Sequence, residues 1–218
     1  MTAALSILFR DESLIAVDKP AGLAVHRGWA REHDVAMVRL RDQIGARVFP
    51  VHRLDRATSG VLLFALSAEM AARGCESFTA GKTEKTYLAL VRGVPPDELL
   101  IDHPLPPGED THAQRVAART MIFRREVFGR YSLVEARPLT GRLHQVRRHL
   151  KHISCPLIGD VNYGKGEHNR LFRERHDLHR LFLHATRLCL PHPAEGGQLD
   201  IASPLPLELE AVLQALRG

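Results

Sequence analysis

Cysteine and tryptophan are scarce in this chain, which has three cysteines and one tryptophan in 218 residues. Cys75, Cys155 and Cys189 form no closely spaced pair, and their odd number leaves one without a partner. Such usage is unlike that of a small disulfide-rich domain or a cysteine-ligated zinc site. It predicts three free thiols in a reducing cytoplasm.

Long apolar runs and a leader segment are also missing. The N-terminus has no charged segment followed by an apolar one, so no signal peptide is expected. No apolar run approaches the roughly 20 residues that a membrane-spanning helix needs. The sequence therefore predicts a soluble, cytoplasmic protein with no membrane partner.

Cofactor and metal signatures are absent as well. Gly164-Lys165-Gly166 lacks the flanking pattern of a phosphate-binding loop, and no GxGxxG follows a strand. The histidines that cluster in the sequence are His176, His179, His184 and His192, and His144, His149 and His152. None of them forms HExxH or accompanies a cysteine pair, so neither a metal ion nor a cofactor is expected.

Basic charge, in contrast, is plentiful and unevenly distributed. The formal net charge is +5, yet residues 115–151 alone hold ten Lys or Arg and two acids. Residues 93–112 hold five acids and no Lys or Arg. Such asymmetry is typical of a surface that binds a polyanion, although a solvated basic face would look the same.

Short apolar runs bounded by turn residues predict many strands and a few helices. The predicted strands cover 6–9, 14–17, 61–66, 86–91, 122–123, 131–136 and 181–190, and the predicted helices cover 35–44, 68–79, 143–153 and 207–216. The proline- and acid-rich segment 94–112 is expected to be a loop and the one plausible internal boundary. These elements predict an α+β fold with a mixed, largely antiparallel sheet flanked by helices.

The most informative segment is His52-Arg53-Leu54-Asp55-Arg56-Ala57-Thr58-Ser59-Gly60, which runs directly into the apolar strand 61–66. It places one carboxylate, Asp55, among cations in a turn. A partly buried carboxylate costs several kcal/mol unless a cation and hydrogen bonds compensate it. The segment is therefore a candidate active site.

This segment resembles the His-Arg-Leu-Asp-x-x-Thr-Ser-Gly signature of the RluA-type pseudouridine synthases, in which the aspartate is catalytic. Further segments match the family's motifs in the same order and span roughly residues 7–192. They are Asp18-Lys19-Pro20-Ala21-Gly22-Leu23, Lys85-Thr86-Tyr87, Thr140-Gly141-Arg142-Leu143-His144-Gln145-Val146-Arg147, Pro156-Leu157-Ile158-Gly159-Asp160 and Leu183-His184-Ala185. The resemblance implies one catalytic domain over residues 1–218, with a central cleft and no separate N-terminal RNA-binding domain.

Within the family, three segments resemble the TruC branch, which modifies tRNA at the uridine of position 65. They are Val25-His26-Arg27-Gly28-Trp29, Arg41-Asp42-Gln43-Ile44-Gly45 and Arg147-Arg148-His149-Leu150. The resemblance therefore implies an RNA substrate, with tRNA favoured and ribosomal RNA possible, and no obligatory protein partner.

The resemblance also assigns roles to residues. The implied catalytic residues are Asp55, Tyr87 and Arg147, and the candidate substrate-binding residues are Arg53, His52, Thr58, Arg142, Arg148 and Lys151. Arg53 would enter the space that a flipped base leaves. Thr58 is expected to stabilise its turn through a bond from its side chain to the backbone, and His52 to support the site by hydrogen bonding.

Helical periodicity separates the two adjacent arginines of helix 143–153. Leu143, Val146, Leu150 and Ile153 form one apolar stripe, with Arg147 at its edge. Arg148 points almost directly away from the stripe. Arg147 is therefore expected to reach a partly buried carboxylate, and the resemblance implies that its partner is Asp55. Arg148, His144 and Lys151 are expected to face solvent or RNA.

Pseudouridine formation breaks a glycosidic bond and needs neither redox chemistry nor phosphate transfer. Asp55 could act as a nucleophile, or as a base at C2′ in a glycal route. Tyr87 would pack on the flipped base beside the C5 proton. Two other classes remain open at this point: a non-catalytic RNA-binding module, and a glycosidase, which would generally need a second carboxylate.

Overall fold

The computed structural model describes residues 3–26, 34–108 and 113–218, and within them the chain forms ten strands and five helices. The strands are β1 Ser6–Arg10, β2 Leu14–Lys19, β3 Phe49–Pro50, β4 Ser59–Ala65, β5 Glu84–Arg92, β6 Glu98–Asp102, β7 Arg119–Phe128, β8 Tyr131–Pro138, β9 Leu183–Pro191 and β10 Gln198–Ala202. The helices are α1 Ala36–Ile44, α2 Ala68–Thr79, α3 Gln145–His152, α4 Gly166–His176 and α5 Leu207–Arg217. Arg27-Gly28-Trp29 of the TruC-like segment and residues 109–112 lie outside the described residues.

The chain divides into two compact units. The first unit comprises residues 1–84 and 185–204, and the second comprises residues 85–184 and 205–218. None of the helices in the described ranges is both long and apolar enough to cross a membrane.

In the first unit, β4 lies inside a sheet of order β1-β2-β4-β9, with β10 beside β9 and β3 beside β4. Every residue of β4 is buried, which explains why Ser59–Ala65 is almost continuously apolar. Helix α2 begins after Ser67, whose Oγ accepts the N–H of Met70 as an N-cap. The core of this unit contains Leu14, Leu63 and further apolar residues from β9 and β10.

In the second unit, β5, β8, β7 and β6 form an antiparallel series in that order. Its core is built by aliphatic and aromatic side chains of the strands and of helices α4 and α5. Members of this core include Leu90, Leu133, Phe172, Phe182, Leu209 and Leu213.

The predicted mixture of helices with a largely antiparallel sheet is confirmed, but the segment 94–112 is not simply a loop. It contains β6, and the boundaries of the compact units fall at 84/85, 184/185 and 204/205 instead. Strand β6 has no clear pattern of its own and forms by pairing with β7, for example Leu100 with Met121. Helix α4 was not predicted either, because Leu171 and Phe172 are its only apolar side chains and form no repeating stripe.

Candidate active site

Asp55 lies in a tight turn of the first unit, just before β4. The N–H of Thr58 donates to the carbonyl oxygen of Asp55 at 3.1 Å and closes the turn. Leu54 is buried below it, Asp55 is half-buried and Arg53 is exposed. The turn therefore anchors itself through an apolar residue while its charged residues stay at or near the surface.

A buried lysine joins this turn to the segment that follows β2. Lys19 is fully buried, and its Nζ donates to the carbonyl oxygens of Pro20, Leu23 and Arg56 at 2.9, 2.8 and 3.2 Å. The backbone of Gly22 also exchanges hydrogen bonds with Arg56, one of them with the Arg56 side chain. The Lys-Pro motif and the Asp55 turn are thus one hydrogen-bonded structure, although the sequence suggested only that both occur.

His52 lies at the start of the same segment and connects it to β4. Its Nε2 accepts the N–H of Leu63 at 3.1 Å, and its ring stacks on Phe78 with centroids 5.0 Å apart. The acceptor role leaves Nε2 without a proton. A contact between His52 and substrate stays a prediction.

The hydroxyl of Thr58 does not form the hydrogen bond that was predicted for it. It is buried and has no hydrogen-bond partner, so the predicted bond from its side chain to the backbone is wrong. The backbone N–H of Thr58 closes the turn instead. A contact with substrate remains a prediction for this residue.

In the second unit, Arg147 of α3 forms a forked ion pair with Asp160. Nε and Nη2 donate to the two carboxylate oxygens at 2.8 and 2.9 Å, and both side chains are buried. The N–H groups of Asn162 and Tyr163 also donate to Asp160 Oδ1. Burial alone would raise the pKa of Asp160, but the hydrogen bond and the charge of Arg147 hold that pKa below its ordinary value.

Asp160 was not predicted as a partner of Arg147, although it ends a motif that the resemblance singled out. The expectation that Arg147 reaches a buried carboxylate is met by Asp160. The fork uses two of the five N–H donors of a guanidinium, so it fixes the group and leaves donors for another acceptor. The pairing of Arg147 with Asp55 stays a prediction.

Tyr163 lies over this ion pair. The guanidinium carbon of Arg147 is 5.1 Å from the ring centroid, and Nζ of the exposed Lys151 is 5.6 Å from it. The Tyr163 hydroxyl is 3.1 Å from Nδ1 of His144. His144 precedes α3 with φ of 52°, a left-handed conformation that is uncommon for a residue with a side chain. The half-buried His144 is therefore a partner of Tyr163 as well as a candidate for contact with solvent or RNA.

The inward face of α3 is more polar than its periodicity indicated. Val146 and Leu150 are buried as expected, but so are Gln145 and His149. Gln145 Nε2 donates to the hydroxyl of Thr120, which lies 2.9 Å from Nδ1 of His149. These partners lie far away in sequence, so no local pattern could identify them.

Arg148 also differs from the expectation of a residue that faces solvent or RNA. It is half-buried, and its Nη1 donates to the carbonyl oxygens of Pro106 and Leu143, with a longer contact to that of Gly108. The exposed Arg142 donates from Nε to the carbonyl oxygen of Ala117. Both arginines thus hold backbone segments, and their contacts with substrate stay predictions.

Tyr87 is half-buried on β5, opposite Ala136 of β8. It belongs to the second unit with Arg147, whereas Asp55 belongs to the first. That the three side chains act in one site stays a prediction.

One group of possible metal ligands occurs among the described residues, formed by Asp11, His192 and Glu195. Its imidazole is fully engaged: Nε2 is 2.9 Å from Asp11 Oδ2, and Nδ1 accepts the N–H groups of Ala194 and Glu195. Burial alone would raise the pKa of Asp11. Hydrogen bonds from His192 and from backbone N–H groups lower that pKa by more, so the net shift is downward. These bonds explain the cluster without an ion.

Comparison with known proteins identifies the class of this site. The sequence profile described as RNA pseudouridylate synthase matches residues 13–152, which include Asp55, Tyr87 and Arg147. The chain belongs to the RNA pseudouridylate synthase family. This pseudouridine synthase is therefore an isomerase that converts uridine in RNA to pseudouridine, and the predicted family is confirmed.

Relatives and solved structures agree with this assignment. The synthase is 43% identical to tRNA pseudouridine synthase C of Vibrio parahaemolyticus, over 89% of this chain and 88% of the relative. It is 44% identical to the protein of the same name from Haemophilus ducreyi, over 92% and 91%. The structure of human RNA pseudouridylate synthase domain containing 4 superposes with a TM-score of 0.80 at 28% identity, over 97% of this chain and 93% of that one.

Proposed function

We propose that this synthase isomerises a uridine of tRNA, the one at position 65. The observation that carries the proposal is the similarity to proteins named tRNA pseudouridine synthase C, at above 40% identity over about nine tenths of both chains. Ribosomal RNA is the less favoured substrate. A non-catalytic RNA-binding module is not favoured either, because binding alone would not require a carboxylate facing a polyanion.

Asp55 carries the chemistry in this proposal. Its carboxylate attacks C1′ as a nucleophile, or removes a proton from C2′ in a glycal route, while the bond between C1′ and N1 breaks. The uracil turns and C5 bonds to C1′, as the bond from Asp55 to C1′ breaks or, in the glycal route, as the proton returns to C2′. The C5 proton then leaves as N1 gains one. The sum is an isomerisation without any change of oxidation state, so the reaction requires no cofactor and no metal ion.

The other predicted residues position the nucleotide. Extracting the base from its stack costs a few kcal/mol, and Arg53 would occupy the vacated space. Tyr87 would pack on the uracil near C5. Arg147, held by Asp160, would favour the ionised form of Asp55.

The remaining candidates, His52, Thr58, Arg142, Arg148 and Lys151, would contact the RNA around this nucleotide. We place the enzyme in the cytoplasm, acting without an obligatory protein partner. The three cysteines support that placement because all are free thiols.

Tritium release from C5-labelled uridine tests the proposal. Wild-type protein should release tritium from a tRNA transcript, and should release none when position 65 is a cytidine. Asp55→Asn should reduce release by more than about a thousandfold, because the acting carboxylate becomes an amide. The matched control is Asp177→Asn, which removes an exposed carboxylate at the end of α4 and should leave the rate unchanged.

Other outcomes contradict defined parts of the proposal. Release from ribosomal RNA but not from tRNA would overturn the substrate and keep the chemistry. Release by Asp55→Asn at the wild-type rate would remove Asp55 from the mechanism. No release from either RNA by wild-type protein would contradict the proposed reaction itself.

A further inference from the structure

Two stacked imidazoles lie at the C-terminal end of α3 in the second unit. The rings of His103 and His152 are nearly parallel, with an interplanar angle of 16° and centroids 3.6 Å apart. Nη1 of Arg115 is 3.1 Å from Nε2 of His103. His152 and Arg115 are exposed and His103 is half-buried, so the group is accessible from solvent. None of the roles proposed above uses these three side chains.

The hydrogen bonds fix the protonation state of the group. An arginine can only donate, so Nε2 of His103 is an acceptor and carries no proton. The backbone of His103 is also held: Nε2 of the buried His149 is 2.9 Å from the carbonyl oxygen of His103 and must donate to that oxygen. His103 is therefore held in place as a neutral imidazole.

Positive charge surrounds the pair. Helix α3 contributes Arg148 and Lys151 beside His152, and the segment after residue 112 contributes Arg115. The exposed carboxylate of Asp102 precedes His103, but it lies at the position paired with Arg119 in the strand register. Burial first, and then the charges of His152 and Arg115, lower the pKa of His103.

We propose that the cluster of His103, His152 and Arg115 binds a backbone phosphate of the RNA, and that Nε2 of His103 takes up a proton as Arg115 turns from that nitrogen to the phosphate. A phosphate supplies acceptor oxygens that suit the guanidinium fork, and its negative charge favours an imidazolium beside it.

The stack limits this uptake to one proton. An imidazolium can lie over a neutral imidazole, but two imidazolium ions at 3.6 Å would repel each other strongly. RNA affinity should therefore rise as the pH falls from 8 to 6, with a slope of log K against pH that approaches, and does not exceed, about one proton per site. The inference rests on the RNA substrate of the proposed function, but not on its target nucleotide or chemistry.

The test measures the affinity of the full chain for an RNA hairpin that contains no uridine, between pH 6 and pH 8 at constant ionic strength. Wild-type protein should bind roughly fivefold or more tightly at pH 6 than at pH 8. His103→Gln should remove most of that difference. The matched control is His179→Gln, which removes an exposed imidazole that is paired with Asp177 in the same unit and should keep the difference.

A second measurement separates proton uptake from general electrostatics. Titration calorimetry in two buffers of different ionisation enthalpy should give an uptake of up to one proton for wild-type protein and almost none for His103→Gln. Arg115→Gln should weaken binding and reduce the salt slope by about 0.7–0.9, as expected for one lost phosphate contact.

Several results would overturn the inference. The first is a hairpin affinity that does not change with pH. The second is a change with pH that persists in His103→Gln, and the third is an absence of hairpin binding by wild-type protein. Because the hairpin contains no uridine, failure of the tritium assay would leave these results unaffected. A wild-type hairpin affinity that does not change with pH would leave the tritium assay as a separate test of the reaction, so the two proposals can fail separately.

Discussion

The Asp55 turn of the first unit and helix α3 of the second each carry a residue predicted to be catalytic, but different interactions hold them. The turn is closed by backbone hydrogen bonds, and a single lysine, Lys19, binds three of the surrounding carbonyl oxygens. Helix α3 is held by side chains that bind other side chains, such as Arg147 with Asp160 and Gln145 with Thr120. A buried polar network of this kind is sensitive to the loss of any member, since the partner loses its hydrogen bond.

The largest loss of folding stability is therefore expected when the ion pair of α3 is broken. Arg147→Met should lower the free energy of unfolding by about 3–5 kcal/mol, because Asp160 would remain buried without its cation. Denaturant unfolding monitored by circular dichroism would measure this loss.

The double variant Arg147→Met/Asp160→Asn sharpens this prediction. Replacing the unpaired carboxylate of Asp160 should restore much of the lost stability, because an amide is less costly to bury than an unpaired carboxylate. Equal stabilities of the single and double variants would show that the cost does not arise from Asp160.

In the first unit, a comparable loss of folding stability is expected from a change of backbone conformation and packing rather than from a loss of charge. Gly60 has φ of 114°, and a Cβ placed on it would lie 2.2 Å from the carbonyl oxygen of Ala185 on β9. Gly60→Ala should cost about 3 kcal/mol, because strands β4 and β9 would have to separate locally.

Gly22→Ala is the matched control for that variant. Gly22 also has positive φ, 83°, but a Cβ there would meet nothing within 4 Å. The expected cost is the conformational strain alone, about 1–2 kcal/mol. Thermal unfolding of both variants would compare them, and equal costs would contradict the steric explanation.

A smaller loss is expected from the lysine that organises the turn. Lys19→Met should lower the free energy of unfolding by about 2 kcal/mol, because three carbonyl oxygens lose a charged donor while burial of a charge is relieved. It should also reduce tritium release, since Arg56 follows Asp55 directly. Lys82→Met, at an exposed lysine of the same unit, is the control; equal stability of the two variants would exclude the structural role of Lys19.

The same contrast explains how much could be predicted from the sequence. The Asp55 turn is encoded by contiguous residues, so its motif and the following strand β4 were recognised from the local pattern. The role of Lys19 was not, because its acceptor Arg56 is 37 residues away. The missing hydrogen bond of Thr58 shows that residue type alone does not fix what a side chain does.

For α3, periodicity identified Val146 and Leu150 as buried but missed Gln145 and His149. Apolar patterning cannot reveal a polar residue whose partners lie on another element, here Thr120 of β7. The same limit applies to β6, which depends on pairing with β7, and to Asp160, which the sequence placed in a motif without assigning it to Arg147.

The smallest expected effect is on the pH dependence of folding stability, to which His149 of the α3 network contributes. Burial lowers the pKa of His149 below its ordinary value of 6.5, although its bond to the carbonyl oxygen of His103 opposes the shift. The unfolded chain therefore binds a proton more readily than the folded one. The stability contributed by neutral His149 is complete above about pH 6.5 and is lost as the pH falls toward the lowered folded-state pKa.

His149→Gln tests this linkage because an amide can donate to His103 and accept from Thr120 without titrating. Its free energy of unfolding should fall less steeply than that of wild type between pH 7 and pH 5, whereas the two curves should run parallel above pH 7. His179→Gln, at an exposed imidazole, should retain the wild-type slope. Parallel curves for His149→Gln over the whole range would mean that His149 does not contribute to the loss of stability in acid.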